Sequence, residues 1–390
     1  MGLLKKILTY SLFIILAGGC NTSLIRLESY KDVDPYSQYG KSPYRDFRYE
    51  KPIGLTFTEK WEASINGGFT NSSVAVYDSS VFVNDLSGRL YSFSILNGKT
   101  LGQLKFKGSI FTTPIIENSL IIFAVARDKE NISTLHYYDF NAGTELSSVE
   151  IEGRVTSQLL KLNDGIILLS ETGHLYKLDY RGKIIWHYET NYFCHSSPAS
   201  NNKVIVFGND NGEIICVESE DLNRNTDFNS RLIYREKIGG PFFCGAVISD
   251  DVIYIGNNDG KLYAIDINSG IVKWSFQTNA MIKMEAVVAD KEIFIGNLSG
   301  ELYKLSKNDG KQIWKINTYG LLNSTPLMTP EYLILPDMNK KVYFISVDSG
   351  EIVDSLMLDG RVKLSPVIKN DLLFIGYENG NLRAYDVSNK

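Results

Sequence analysis

Cysteine, histidine and proline are scarce in this 390-residue chain, at four, four and ten copies. Cys20, Cys194, Cys216 and Cys244 include no adjacent pair and none at metal-gripping spacing, and the three thiols after Cys20 cannot all pair with one another. Positive charge is not in surplus: 40 Lys and Arg face 45 Asp and Glu, for a net charge of −5, and no basic cluster interleaves with aromatics. That balance excludes a phosphate-tracking nucleic-acid surface. After residue 20 no segment keeps helical spacing over three turns, so a helical or mixed fold is excluded too. The one sustained apolar run, Ile7 to Leu16, spans about half a bilayer core and is too short for a membrane-crossing helix.

What the chain has instead is a repeat. An apolar-Tyr-x-apolar-(Asp/Ser) phrase or a close variant starts at Leu90, Leu135, Leu175, Ile214, Leu262, Leu302, Val342 and Leu382, at intervals of 45, 40, 39, 48, 40, 40 and 40 residues. A period near forty marks units that bury their apolar faces only by stacking on one another. Within a unit, alternating stretches such as EAVVAD, EIFIGN, ELYKLS and QIWKIN (285 to 317) read as four strands. Gly-containing turns separate them, at Ser299-Gly300 and Asp309-Gly310 in that unit, so neighbouring strands are hairpin-linked and antiparallel. The reading is all-β: an eight-bladed β-propeller of four-stranded antiparallel blades.

The ends of the chain test this count. In five repeats a Gly follows eight residues after the phrase begins and opens the turn into the fourth strand, but eight residues after Leu382 is Lys390, the last residue. The final blade is therefore expected to lack its own fourth strand. Glu59 to Ala63 has fourth-strand character and precedes the first blade, so the two fragments are expected to form one blade and close the ring, which removes its open edges.

The first nineteen residues read as a signal peptide: Lys5 and Lys6, the apolar run, then Ala17-Gly18-Gly19-Cys20. The stretch resembles the lipobox of bacterial lipoproteins, which implies acylation of Cys20 as the mature N-terminus. It departs in carrying Ala17 where Leu is commonest, and an ordinary secretory signal is the alternative. Residues 20 to 56 form the lipidated Cys and a flexible tether, or else their tyrosines, Tyr36, Tyr39, Tyr44 and Tyr49, pack across a face of the ring. Residues 57 to 390 form the propeller.

NDGKLYAIDINSGIVKWSF (258 to 276) and SGELYKLSKNDGKQIWKI (299 to 316) resemble the pyrroloquinoline-quinone-type β-propeller repeat family, and Ser197-Pro198, Thr325-Pro326 and Ser365-Pro366 open first strands in its manner. The resemblance implies that fourth-strand aromatics dock between blades: Trp61, Trp186, Tyr234, Trp274 and Trp314. Gly102, Ser147 and Asp354 stand at the other sites, and the joints at Gly102 and Ser147 are expected to pack less well. Eight blades of this repeat behind a lipobox are similar to the assembly lipoproteins of the outer-membrane β-barrel machine. That likeness implies a non-catalytic scaffold, lipid-anchored to the envelope and facing the periplasm, whose partners are barrel-assembly proteins and unfolded barrel substrates.

Two other readings share the repeat. One is a quinone- and Ca²⁺-dependent dehydrogenase, whose relatives hold both groups in the central funnel; the other is a glycan- or peptide-binding propeller. Against the first, Glu285 with Lys283 is the only charged pair opening a first strand, and one carboxylate makes no Ca²⁺ site. No catalytic, cofactor-binding or metal-ligating residue is assigned, and no cofactor is expected. His136, His174, His187 and His195 fall at unrelated repeat positions. Cys194 and Cys244 open neighbouring blades, close enough to consider a disulfide, although buried free thiols are the simpler expectation. Insertions around Arg127 to Asn131 and from Glu220 to Ser230 lengthen two units. Partners are expected on the loop faces or along outer blade edges.

Overall fold

The computed structural model describes residues 24–28, 32–220 and 231–388. These contain no α-helix. Their strands form eight four-stranded antiparallel sheets arranged as a propeller ring. Blades 1 to 7 comprise residues 75–105, 115–152, 160–189, 199–237, 247–277, 287–317 and 327–357, each contributing its four strands in chain order. Blade 8 takes three strands from residues 367–386 and its outermost strand, Thr58–Ser64, from the other end of the chain. Trp61 lies opposite Ala384 and Ala63 opposite Leu382, so the ring closes by antiparallel pairing of distant segments, as the repeat count requires.

Each blade has neighbours on both faces, so its second and third strands are apolar without alternation; Glu292–Gly296 and Leu372–Tyr377 are almost entirely buried. The outermost strands alternate, because one edge meets water. A recurring Asn or Asp ends many second strands and braces the next turn. Asn257 Oδ1 accepts from the N–H groups of Asp259 (3.1 Å) and Lys261 (2.9 Å), and Asp337 Oδ1 from those of Asn339 (2.8 Å) and Lys341 (3.0 Å). The side chain mimics a backbone turn and leaves fewer buried donors unpaired.

Three of the blade joints that carry an aromatic follow one design. Trp61, Trp274 and Trp314 each donate the indole N–H to a carbonyl of the following blade, Ile95 (2.8 Å), Lys307 (3.1 Å) and Val347 (3.3 Å). Each ring lies on the turn glycine of that blade. At Gly310, φ is +68° and an added Cβ would stand 2.5 Å from Trp274 Cε3, so both the backbone and the indole demand glycine there. Tyr234 covers Gly270 in the same way, and buried Trp186 lies beneath the Arg231 guanidinium at 5.1 Å.

The joint at Gly102 departs from expectation. It is filled by a residue from outside the repeats: Ile25 is fully buried there among Leu104, Tyr138 and Phe140. Its carbonyl accepts from Tyr138 Oη at 2.9 Å, and Leu27 N–H donates to Phe140 O at 2.8 Å. A Cβ at Gly102 would meet Leu24 O at 2.6 Å, so the missing indole makes room for the N-terminal segment. Near Asp354 the same device recurs, with Phe57 stacked on Phe344 at 4.0 Å. At Ser147 the hydroxyl bonds Arg181 O at 2.9 Å, and the fully buried Tyr137 ring lies beside it.

Candidate functional site: a channel plugged by its own chain

The first strand of each blade lines the axis, and its free edge leaves backbone donors and acceptors that need partners. Much of that need is met by side chains recurring at one repeat position. Ser73 N–H donates to Thr113 Oγ1 (2.8 Å), Thr113 N–H to Gln158 Oε1 (2.8 Å) and Gln158 N–H to Ser197 Oγ (3.0 Å). On the other side Gly245 N–H reaches Glu285 Oε1 (3.3 Å), Glu285 N–H reaches Thr325 Oγ1 (3.1 Å) and Thr325 N–H reaches Ser365 Oγ (3.2 Å). The Ser/Thr-rich openings of the first strands thus form a belt that ties each blade to the next.

One face of this channel is closed by residues 34–49. Of the two arrangements open for the N-terminal region, its described residues from 32 onward are packed rather than a free tether, with Tyr36, Tyr39, Phe47 and Ile53 buried. The segment pairs with the innermost strands in turn. Tyr36 exchanges backbone bonds with Val76, Ser37 O accepts from Ile116, Pro43 O from Ser200, Tyr44 O from Ile248 and Phe47 O from Met328, all between 2.8 and 3.0 Å. Tyr49 Oη completes the course on Asp371 at 2.9 Å.

Two side chains of this segment enter the axis. Tyr39 Oη donates to Glu285 Oε2 at 2.8 Å and lies 3.1 Å from Thr325 Oγ1. Burial, with the Glu285 charge beside it, holds the phenol well above its ordinary pKa, so it remains a donor. Arg45, 1% exposed, gives its guanidinium protons to the carbonyls of Tyr39 (2.8 Å), Pro198 (3.1 Å), Leu159 (3.1 Å) and Gln158 (3.2 Å). Burial pulls its pKa down to about 10 against the opposing pull of Glu285, which leaves it charged at neutral pH. Glu285 is therefore a ring-bonded carboxylate facing a phenol and a buried cation. Among the described residues no group of three or more His, Cys, Asp or Glu converges as metal ligands. A hard cation needs several oxygen donors around one point, and this donor set does not fit Ca²⁺.

The opposite mouth opens into a cavity of about 330 Å³ lined by Asn71, His195, Phe243, Lys283 and Asn323. His195 Nδ1 lies 2.8 Å from Asp210 Oδ2, and that bond raises the imidazole pKa. Lys283 Nζ sits 5.4 Å from the Phe243 ring centre.

The other singled-out residues do not assemble. His136 pairs with Glu145 in blade 2, and His174 bonds His187 in blade 3 at 2.9 Å. Cys194, Cys216 and Cys244 are free and buried, with no disulfide between Cys194 and Cys244. Burial pushes the thiols of Cys194 and Cys216 up to about 12, and that of Cys244 upward as well. Cys20 and residues 221 to 230 of the second insertion lie outside the described residues. Sequence reasoning missed Ile25, Arg45 and the Tyr39–Glu285 pair. The tyrosines clustered ahead of the first repeat were the available signal for the plug.

The family model of the outer membrane protein assembly factor BamB matches residues 131–281 and 277–389. The crystal structure of BamB from Moraxella catarrhalis superposes with a TM-score of 0.69 at 14% identity, covering 85% of this chain and 100% of that one. A computationally designed protein, Ika8, gives 0.72 at 12% identity over 84% and 99% of the two chains. The quinohemoprotein alcohol dehydrogenase ADHIIG from Pseudomonas putida HK5 gives 0.74 at 10% identity over 92% and 81%. At such identities these likenesses establish the fold alone. No curated protein sequence matches the chain.

Proposed function

The chain belongs to the family of the outer membrane protein assembly factor BamB, and from that premise we propose that it is a non-catalytic lipoprotein scaffold that binds protein partners in outer-membrane β-barrel assembly. Acylated Cys20 anchors it to the outer membrane, facing the periplasm, and its rims and loop faces do the binding. The observation that carries this reading, beside the family, is the occupant of the axis. Where quinone-dependent propellers keep a funnel for cofactor and metal, this chain places Tyr39 and Arg45, bonded to Glu285 and to four carbonyls. A ring whose axis is plugged from one face by its own backbone and side chains offers its rims and loop faces as surfaces for partners. One fold hosts many functions, so the site outweighs the likeness to a dehydrogenase.

Affinity capture of the lipoprotein from its native envelope tests the proposal. Co-recovery of barrel-assembly components is the expected result, and capture without any of them overturns it. Dye reduction with alcohols or sugars after loading with Ca²⁺ and quinone would overturn the non-catalytic assignment.

A further inference from the structure

The N-terminal segment fixes where on the ring the anchor attaches, and therefore which part of the ring faces lipid. Ile25 is fully buried in the joint between blades 1 and 2, held by the Tyr138 hydroxyl on its carbonyl and by Leu27 on Phe140 O. Gly102, over which Leu24 and Ile25 pass, belongs to the outermost strand of blade 1, so the chain meets the ring at its outer rim. Cys20 precedes Leu24 by four residues. Four Cα–Cα steps of about 3.8 Å reach at most ~15 Å. A tether of some thirty-five residues would let the propeller hang freely below the bilayer; four residues do not.

The same rim exposes large apolar side chains. Leu24 is 60% exposed, Leu101 beside Gly102 is 37% exposed and Leu146 beside Ser147 is 59% exposed, the last two on the outermost strands that flank the joint. Exposed apolar residues recur at this outer-strand position around the ring, Ile271 at 67% and Ile313 at 52% among them, so what singles out this sector is the added Leu24 and the four-residue link to Cys20, which brings these side chains and no others within reach of the headgroup and acyl boundary. Arg26 and Lys105 stand exposed on this part of the chain, and so do Glu28 and Glu145, so the contact is apolar in character rather than electrostatic.

We infer that the rim formed by Leu24, Leu101 and Leu146 is a membrane seat: it rests on the phospholipid surface and holds the propeller edge-on, with blades 5 and 6 pointing away from the bilayer. This inference rests on the acylation of Cys20 proposed above. Edge-on seating leaves both loop faces and the far rim open to protein partners.

Site-directed nitroxide labelling of the full acylated protein in phosphatidylethanolamine and phosphatidylglycerol vesicles tests it. The three described cysteines are buried, and Cys20 is consumed by acylation, so Leu146→Cys and Ile313→Cys on the outer strand of blade 6 provide single labels at exposed positions. The expected result is loss of collisions with a water-soluble nickel complex and gain of collisions with oxygen at Leu146, with full water access at Ile313. High salt should leave this difference intact. A ten-residue Gly-Ser insertion after Asn21 should restore water access at Leu146 while the protein stays on the vesicles. Equal water access at both labels in an acylated protein overturns the seat and leaves the anchor standing. Absence of a diacylglyceryl adduct on Cys20 by intact mass overturns the anchor, and the seat with it.

Discussion

Replacing Arg45 by Ala tests whether the plug is part of the core or a passenger on it. The guanidinium is 1% exposed and holds four carbonyls from three elements at 2.8 to 3.2 Å. Truncation leaves those acceptors buried without a donor, opens a cavity, and removes the cation opposing Glu285. Leaving one buried polar partner unsatisfied costs about 1–3 kcal/mol, and breaking a buried charged network costs about 3–5 kcal/mol. These contributions overlap, so Arg45→Ala should destabilise by about 4 kcal/mol, a large share of the ~5–15 kcal/mol that holds a typical fold. Arg48→Ala is the control, since that half-buried arginine of the same segment pairs with Asp46 (2.8 Å) and Asp290 near the surface. Pairs of that kind are worth ~0–1 kcal/mol. Equilibrium urea denaturation followed by indole fluorescence, which reports on Trp61, Trp274 and Trp314 at the joints, reads the difference as a shift in midpoint at unchanged slope. Agreement between fluorescence and far-ultraviolet dichroism checks that unfolding is all-or-none. A shift for Arg45→Ala no larger than that for Arg48→Ala would refute the argument, and residues 34–49 would then be an accessory to a ring that stands without them.

Three further outcomes follow from the same geometry. Gly102→Trp restores the repeat's indole yet should destabilise by roughly 2 kcal/mol or more, because overpacking costs about 1–3 kcal/mol and the new Cβ would meet Leu24 O at 2.6 Å; thermal melts with and without residues 24–28 should show the penalty shrinking once the segment is gone. Gly310→Ala should lower stability by about 2 kcal/mol, since a positive φ alone costs about 1–2 kcal/mol and the Cβ would stand 2.5 Å from Trp274. Gly68→Ala, with nothing within 4 Å of the added methyl, should change the melting temperature little. The thiols of Cys194, Cys216 and Cys244 should stay silent toward a disulfide reagent at pH 8 and react together on denaturation, because burial raises the pKa of all three; fast reaction of any one in the folded protein contradicts the burial described.

The repeat period made the blade count legible, and the surplus strand at Glu59 to Ala63 made the closure legible, because both depend on short-range pattern: alternation sets a strand, a Gly-containing pair sets a hairpin, and a fixed interval sets the stacking. The aromatics of the fourth strands could be located for the same reason, at one strand position in five of the eight units. Ile25 and Arg45 could not. Neither lies in a repeat, and each acts on residues far away in the chain: Ile25 on Gly102 and Tyr138, Arg45 on Leu159 and Pro198. A polar residue such as Arg45 carries no local sign that it will be buried, since its burial is compensated only by carbonyls that the closed ring brings together.

Sequence alone determined that this chain is a ring of eight four-stranded sheets, because the contacts within seven blades lie inside about forty residues, and the unpaired strand at each end of the repeats left one partner for the other. Tertiary structure alone decided what occupies the axis and which joint receives the N-terminal segment. Those outcomes depend on where free strand edges and vacant aromatic positions meet in space, and no periodic signal encodes that meeting.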